Sequence, residues 1–264
     1  MVALSTDDRP TVATAAFPDT ALPPGARSSS GSRSGALLGI AGIAGIGLNY
    51  VFLLGAGRLL GSADYGELAA ILGLLTVLLI PSGALQMAVS REVSRLVALG
   101  RHDEAAAFAA RVSRIAASAT VPLVVGFVAL SGPISALLSI DETTALAVAS
   151  LSLVATFMAP VALGIVQGDQ RFGTLALLQL LPFVVRVGFL GLAAAAGWGL
   201  LGTVGAVVVS TGLGLGLALG AAWPFFASRS SRLVSPIRGF LRYLGPVVGG
   251  LIAMSILTNA ATLA

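Results

Sequence analysis

Residues 57–70 read GRLLGSADYGELAA, and the three charges in this stretch, Arg58, Asp64 and Glu67, stand between two long uncharged runs. On one side lies ALLGIAGIAGIGLNYVFLLGAG (36–57), on the other LAAILGLLTVLLIPSGALQMAVS (68–90), and their only strongly polar members are Asn49 and Gln86. A helix on the surface of a soluble bundle needs a polar face at helical period, and neither run has one. At 1.5 Å per residue each run makes roughly 33 Å of helix, about the thickness of a bilayer's hydrocarbon core. The charged stretch is therefore read as a loop between two membrane spans.

Composition extends this reading to the whole chain. Hydrophobic residues make up 56% and charged residues 10% of the sequence, with a mean hydropathy of +0.98, whereas a soluble domain carries about 25% charge. Cysteine is absent and His102 is the one histidine. Disulfides, thiolate sites and a His-built metal or catalytic cluster are thereby excluded. All 15 basic residues are arginine. The sequence pI of about 10.6 raises the question of nucleic acid. The arginines, however, sit at the ends of apolar runs and no basic stretch is interleaved with aromatics, so nucleic acid is not an expected partner.

Residues 1–35, rich in Ala, Ser, Pro and Gly without hydrophobic period, are expected to form a disordered tail ahead of an uncleaved signal-anchor. Seven spans follow: 36–57, 68–90, 107–131, 143–166, 174–196, 200–227 and 241–262. The stretch 92–114, with charges spread among Ala, Val and Leu, reads as an amphipathic interfacial helix running into the third span. Placing the N-terminus in the cytoplasm puts thirteen of the fifteen arginines in the tail and the second, fourth and sixth loops. Arg58 alone falls outside, and Arg186 lies within a span. Positively charged loops stay cytoplasmic, so this orientation is preferred.

Small residues suggest where helices touch. Gly212, Gly216 and Gly220 recur at helical spacing, and Gly39, Gly42 and Gly45 form a similar ridge. Such faces let helices approach closely. Pro81, Pro122, Pro160, Pro182, Pro224 and Pro246 place one proline in each span from the second to the seventh, as suits helices that bend between two states.

No catalytic triad, phosphate-binding loop, dinucleotide fingerprint or carboxylate pair is found, so no enzymatic activity and no cofactor or metal is expected. The acids outside the tail all lie in loops or interfacial stretches, the last being Asp169. Arg186 is the exception among the charges, at the thirteenth position of the fifth span. Arginine at a helix centre costs ~2.5–3.5 kcal/mol on insertion scales, so it faces a cavity or a partner. Gln179, two helical turns earlier, shares its face. An arginine and an amide directed into a bundle suit an anionic headgroup such as a phosphate; a purely packing role for Arg186 is the alternative. Asn49, Gln86 and Asn259 are read as lining the same interior or as helix–helix hydrogen bonds. The substrate-binding set is thus Arg186, Gln179, Asn49 and Gln86.

RLLGSADYGELAAILGLLTVLLIPSGALQMAVSRE (58–92) resembles the first loop and second span of the bacterial polysaccharide biosynthesis proteins, flippases of lipid-linked oligosaccharides. These belong to the multidrug/oligosaccharidyl-lipid/polysaccharide exporter superfamily. Arg58, Leu60, Gly61, Tyr65 and Gly66 carry the pattern, and QGDQRFGTLALLQLLPFVVRVGFL (167–190) is similar to that family's fourth loop and fifth span. The resemblance implies an all-α integral membrane protein of about seven transmembrane helices, built from a six-helix lobe (36–227) of a two-lobe exporter. A cytoplasmic basic linker (228–240) and the first helix of an incomplete second lobe (241–264) would follow. Ala260 and Ala261 stand where the family commonly has an acid. The implied activity is movement of lipid-linked oligosaccharide or polysaccharide precursors across the bacterial inner membrane. Its implied partners are membrane lipid and a lipid-diphosphate-linked glycan, with a second lobe supplied by a longer chain or by a second copy in a homodimer. A multidrug-type antiporter of the same superfamily and a scaffold of envelope polysaccharide assembly remain open.

Overall fold

Eight helices follow one another in the computed structural model, which describes residues 29–138 and 140–227: α1 (Ser29–Leu59), α2 (Ser62–Ala98), α3 (His102–Ala129), α4 (Ser131–Leu138), α5 (Thr143–Ser150), α6 (Ser152–Gly168), α7 (Phe172–Ala195) and α8 (Gly199–Ala227). The linker 228–240, the span expected at 241–262 and the tail up to residue 28 lie outside the described residues. Five segments are long and apolar enough to cross a bilayer: Ser34–Leu59, His102–Ala129, Thr143–Gly168, Phe172–Ala195 and Gly199–Ala227. The 37-residue α2 runs through the stretch read as the second span. The all-helical membrane fold expected from the sequence is thus present.

Three boundaries differ from expectation. α1 starts at Ser29 rather than at residue 36, because a helix already nucleated by its apolar part propagates at one hydrogen bond per added residue. The stretch 92–114 is not one interfacial helix; it is the end of α2 and the start of α3. Gly100 breaks it with a φ of +70°. The Gly100 N–H donates to the Val97 carbonyl (2.9 Å) and the Arg101 N–H to the Leu96 carbonyl (2.9 Å). This paired closure uses a left-handed residue to satisfy the last carbonyls of a helix. The same arrangement ends α7 at Gly197 and α6 at Gln170 (φ 58°). Lastly, the fourth span divides at Leu151 into α5 and α6. Ser150 and Ser152 on either side donate their hydroxyls to the Ala147 and Ala149 carbonyls, a competition with the helix ladder that accompanies bends.

Helix pairing is non-sequential. α1 lies along α7 and runs parallel to it: a Cβ on Gly45 would meet Phe183 at 3.1 Å, and one on Gly55 would meet Leu190 at 2.9 Å. α2 lies parallel to α6, where a Cβ on Gly164 would meet the Gln86 carbonyl oxygen at 2.8 Å and one on Gly168 would meet Val93 Cβ at 2.7 Å. α8 returns antiparallel along α7, with Gly214 against Pro182. Of the expected glycine faces, Gly45 alone makes such a contact. Gly212, Gly216, Gly220, Gly39 and Gly42 meet nothing within 4 Å among the described residues. Spacing marks a small-residue face but not what covers it.

Two apolar clusters close the ends of the bundle. One joins Ala56 and Leu60 to Leu68, Ile71, Phe127, Leu146 and Leu200 at the end that carries Asp64, Glu67, Asp141 and Glu142. There the Glu142 N–H donates to Glu67 Oε2 (3.3 Å), tying the start of α2 to the start of α5. The other gathers Val89, Leu96, Phe108, Ile165, Leu175 and Ala222 toward the end that carries Arg91, Arg101 and Arg171. At that end Arg171 Nη1 donates to the Ala221 carbonyl (2.9 Å).

Candidate functional site

α1 and α2 meet near their connecting turn and make few contacts elsewhere. The space between the α1–α7 pair and the α2–α6 pair, floored by α8, is a cavity of about 810 Å³. Its walls are mainly apolar and glycine-rich, with Ala41, Gly42, Gly45, Gly73, Gly83 and Gly214 among them. Pro160 and Pro182 also face it, within otherwise continuous helices. This is the size and character of a ligand pocket: concave, apolar, with a few convergent polar groups.

Asn49, Gln86, Gln179 and Arg186 all line this cavity. The structure therefore brings together, from α1, α2 and α7, the four residues selected from the sequence; Asn259 lies outside the described residues. Arg186 Nη1 donates to Asn49 Oδ1 (3.3 Å) and Nε to Ser210 Oγ (3.1 Å). Its guanidinium carbon lies 5.6 Å from the Phe52 ring centroid and 5.5 Å from that of Phe183. No carboxylate faces it among the described residues. Ring quadrupoles and neutral oxygens hold the cation, a combination that leaves its charge uncompensated. Gln86 Nε2 donates to Gln167 Oε1 (2.9 Å), bridging α2 and α6. Gln179 makes no side-chain bond to another described residue.

Ser210, Phe52 and Phe183 were not singled out from the sequence. Phe183 precedes Arg186 by three residues and so shares its face, a signal that was legible. Ser210 and Phe52 sit 24 and 134 positions away and become neighbours only through the α7–α8 and α1–α7 pairings.

The architecture has solved counterparts. A MOP superfamily transporter of Pyrococcus furiosus, described as having a binding pocket of reversed polarity, matches 85% of this chain at 17% identity with a TM-score of 0.66. An outward-facing multidrug resistance MATE family transporter of the same superfamily also matches 85% of the chain at 17% identity, with a TM-score of 0.67. A Vibrio cholerae MATE transporter in its bent form matches 88% at 15% identity, with a TM-score of 0.65. The matches cover 53%, 53% and 57% of those proteins, so the chain spans about half their length. At this identity the likeness establishes the fold alone: the chain has the helix arrangement of about half of those bundles. No protein-family model matches the sequence, and no curated protein matches it.

Proposed function

We propose that this chain is a lobe of a membrane transporter that carries an anionic, lipid-diphosphate-linked glycan precursor across the bacterial inner membrane. The observation that carries the reading is the cavity-lining Arg186, a partly buried cation held by Asn49, Ser210 and two phenylalanine rings with no carboxylate against it among the described residues. A charge fixed in a low-dielectric cavity attracts an anion far more strongly than one in water does. A diphosphate supplies the missing counter-charge. The sequence resemblance to the oligosaccharide flippases supports the glycan, and the MOP-type fold supports transport.

The multidrug resistance named for one of the similar transporters favours a second reading, a multidrug-type antiporter. Against it, no acid lines the cavity among the described residues, and coupling transport to a cation or proton at such a site calls for a carboxylate.

The test uses a full-length homologue carrying PFVVRVGF at the position of residues 182–189. Changing the arginine that corresponds to Arg186 to Ala is expected to reduce glycan export at least tenfold while the protein still inserts and accumulates. Lysine should restore export in part, because charge survives but the two-pronged fork is lost. Full export by the Ala variant at normal expression would assign Arg186 to packing.

A further inference from the structure

The hydrogen-bonding capacity that the cavity offers a ligand changes along its length. Most of the lining hydroxyls are spent on their own helices: Thr76 Oγ1 donates to Leu72 O, Thr156 Oγ1 to Ser152 O, and Thr211 Oγ1 to Val207 O. Ser210 Oγ donates to Val207 O and gives its remaining capacity to Arg186. What remains lies at two levels.

At the first level, Arg186 uses two of its five N–H groups on Ser210 and Asn49, leaving three. Asn49 spends its oxygen on Arg186 and keeps its NH2. Five spare N–H groups here outnumber the single spare lone pairs of Asn49 Oδ1 and Ser210 Oγ, and the level carries the positive charge. The surrounding cluster is Phe52, Leu190, Ala206 and Val207.

The second level holds Gln179 and Gln86. Gln179 is seven residues before Arg186 on α7, about 10 Å along the axis. Its neighbour Leu178 packs in one cluster with Val89 and Leu85, which flank Gln86 on α2. Both glutamines line the cavity, Gln179 from α7 and Gln86 from α2, on the side nearer the Arg91–Arg171 end. After the bond to Gln167, Gln86 retains one N–H and its carbonyl oxygen, and Gln179 retains a whole amide. Donors and acceptors are mixed here, and no charge is present.

We infer that the cavity is a two-level site in which the Arg186–Asn49 level takes the anionic phosphate group and the Gln86–Gln179 level reads the hydroxyls of the first sugar. A deprotonated phosphate only accepts, which fits a donor-rich level that carries a positive charge; a hydroxyl both donates and accepts, which fits an amide. The inference rests on the cargo reading above and adds the orientation of that cargo, sugar toward the Arg91–Arg171 end. Asn49 becomes a positioning residue for the arginine.

Binding to the full chain in lipid nanodiscs, measured by thermophoresis, separates the two ideas. The probes are a polyprenyl diphosphate bearing one hexose and the same polyprenyl diphosphate without sugar. Gln179→Leu and Gln86→Leu are each expected to weaken the glycosylated probe about tenfold and to leave the bare diphosphate within about twofold of wild type. Arg186→Ala should weaken both probes at least tenfold. Gln179→Asn keeps an amide on a shorter arm and should show an intermediate, sugar-dependent loss, so that the inference does not rest on the more drastic leucine variants. If Arg186→Ala weakens both probes while Gln179→Asn and both leucine variants change the two equally or not at all, the two-level site is wrong and the anionic cargo stands. If wild type binds neither probe, or Arg186→Ala changes neither, both readings fall.

Discussion

Arg186 donates to two acceptors on two other helices, Asn49 on α1 and Ser210 on α8, so its stability effects are coupled. Removing either acceptor leaves a partly buried N–H unpaired, at a cost of about 1 kcal/mol. Asn49→Leu and Ser210→Ala are therefore each expected to lower the unfolding temperature of the chain in nanodiscs. In an Arg186→Leu background the same changes should be nearly neutral, because residues sharing one network do not act additively. An unchanged Asn49→Leu penalty in that background would show that Asn49 packs independently of the cation. The arginine itself was legible in the sequence, as were Gln179, Asn49 and Gln86, since a polar side chain in a run of Leu, Val and Gly has few reasons to be there. Its supporting residues were not, because serine and phenylalanine are ordinary in membrane helices.

At the scale of elements, glycine decides which helices touch, though of the glycines whose spacing stands out Gly45 alone is among them. The α2–α6 contact depends on Gly164 and Gly168, whose missing Cβ atoms leave room for the Gln86 and Ser90 carbonyls, each 2.8 Å from where a Cβ would be. Without a hydrophobic drive between helices in lipid, such close backbone packing is a main source of association. Gly168→Val is expected to abolish accumulation of folded protein, whereas Gly216→Val, facing no described neighbour, should be tolerated. Equal loss for both, read by fluorescence-detected size-exclusion chromatography, would contradict the pairing. Helix existence was readable from apolar run length, since the bilayer fixes that length. Helix partners were not, because α1 with α7 and α2 with α6 are long-range choices that small residues permit in several ways.

For the whole molecule, the helix order places the turns at Gly100 and Gln170 at one end of the bundle and those near Asp141 and Gly197 at the other. The first end carries Arg91, Arg95, Arg101, Arg111, Arg114 and Arg171, and the second carries Arg58 alone. We propose that the arginine-rich end faces the cytoplasm. Reporter fusions after Gly100 and Gln170 should then read cytoplasmic and those after Asp141 and Gly197 external; a cytoplasmic signal at Asp141 would refute the orientation. The pairing of α1 with α7 also has a meaning for biogenesis. A ribosome delivers α1 to the bilayer well over a hundred residues before α7, so Asn49 must wait in lipid without its partner while three intervening spans are made. When α7 emerges, its arginine meets one acceptor already installed and another, Ser210, still inside the ribosome. α1 thus holds in the membrane, ahead of α7, an acceptor that lowers the cost of admitting a charge the fold then keeps.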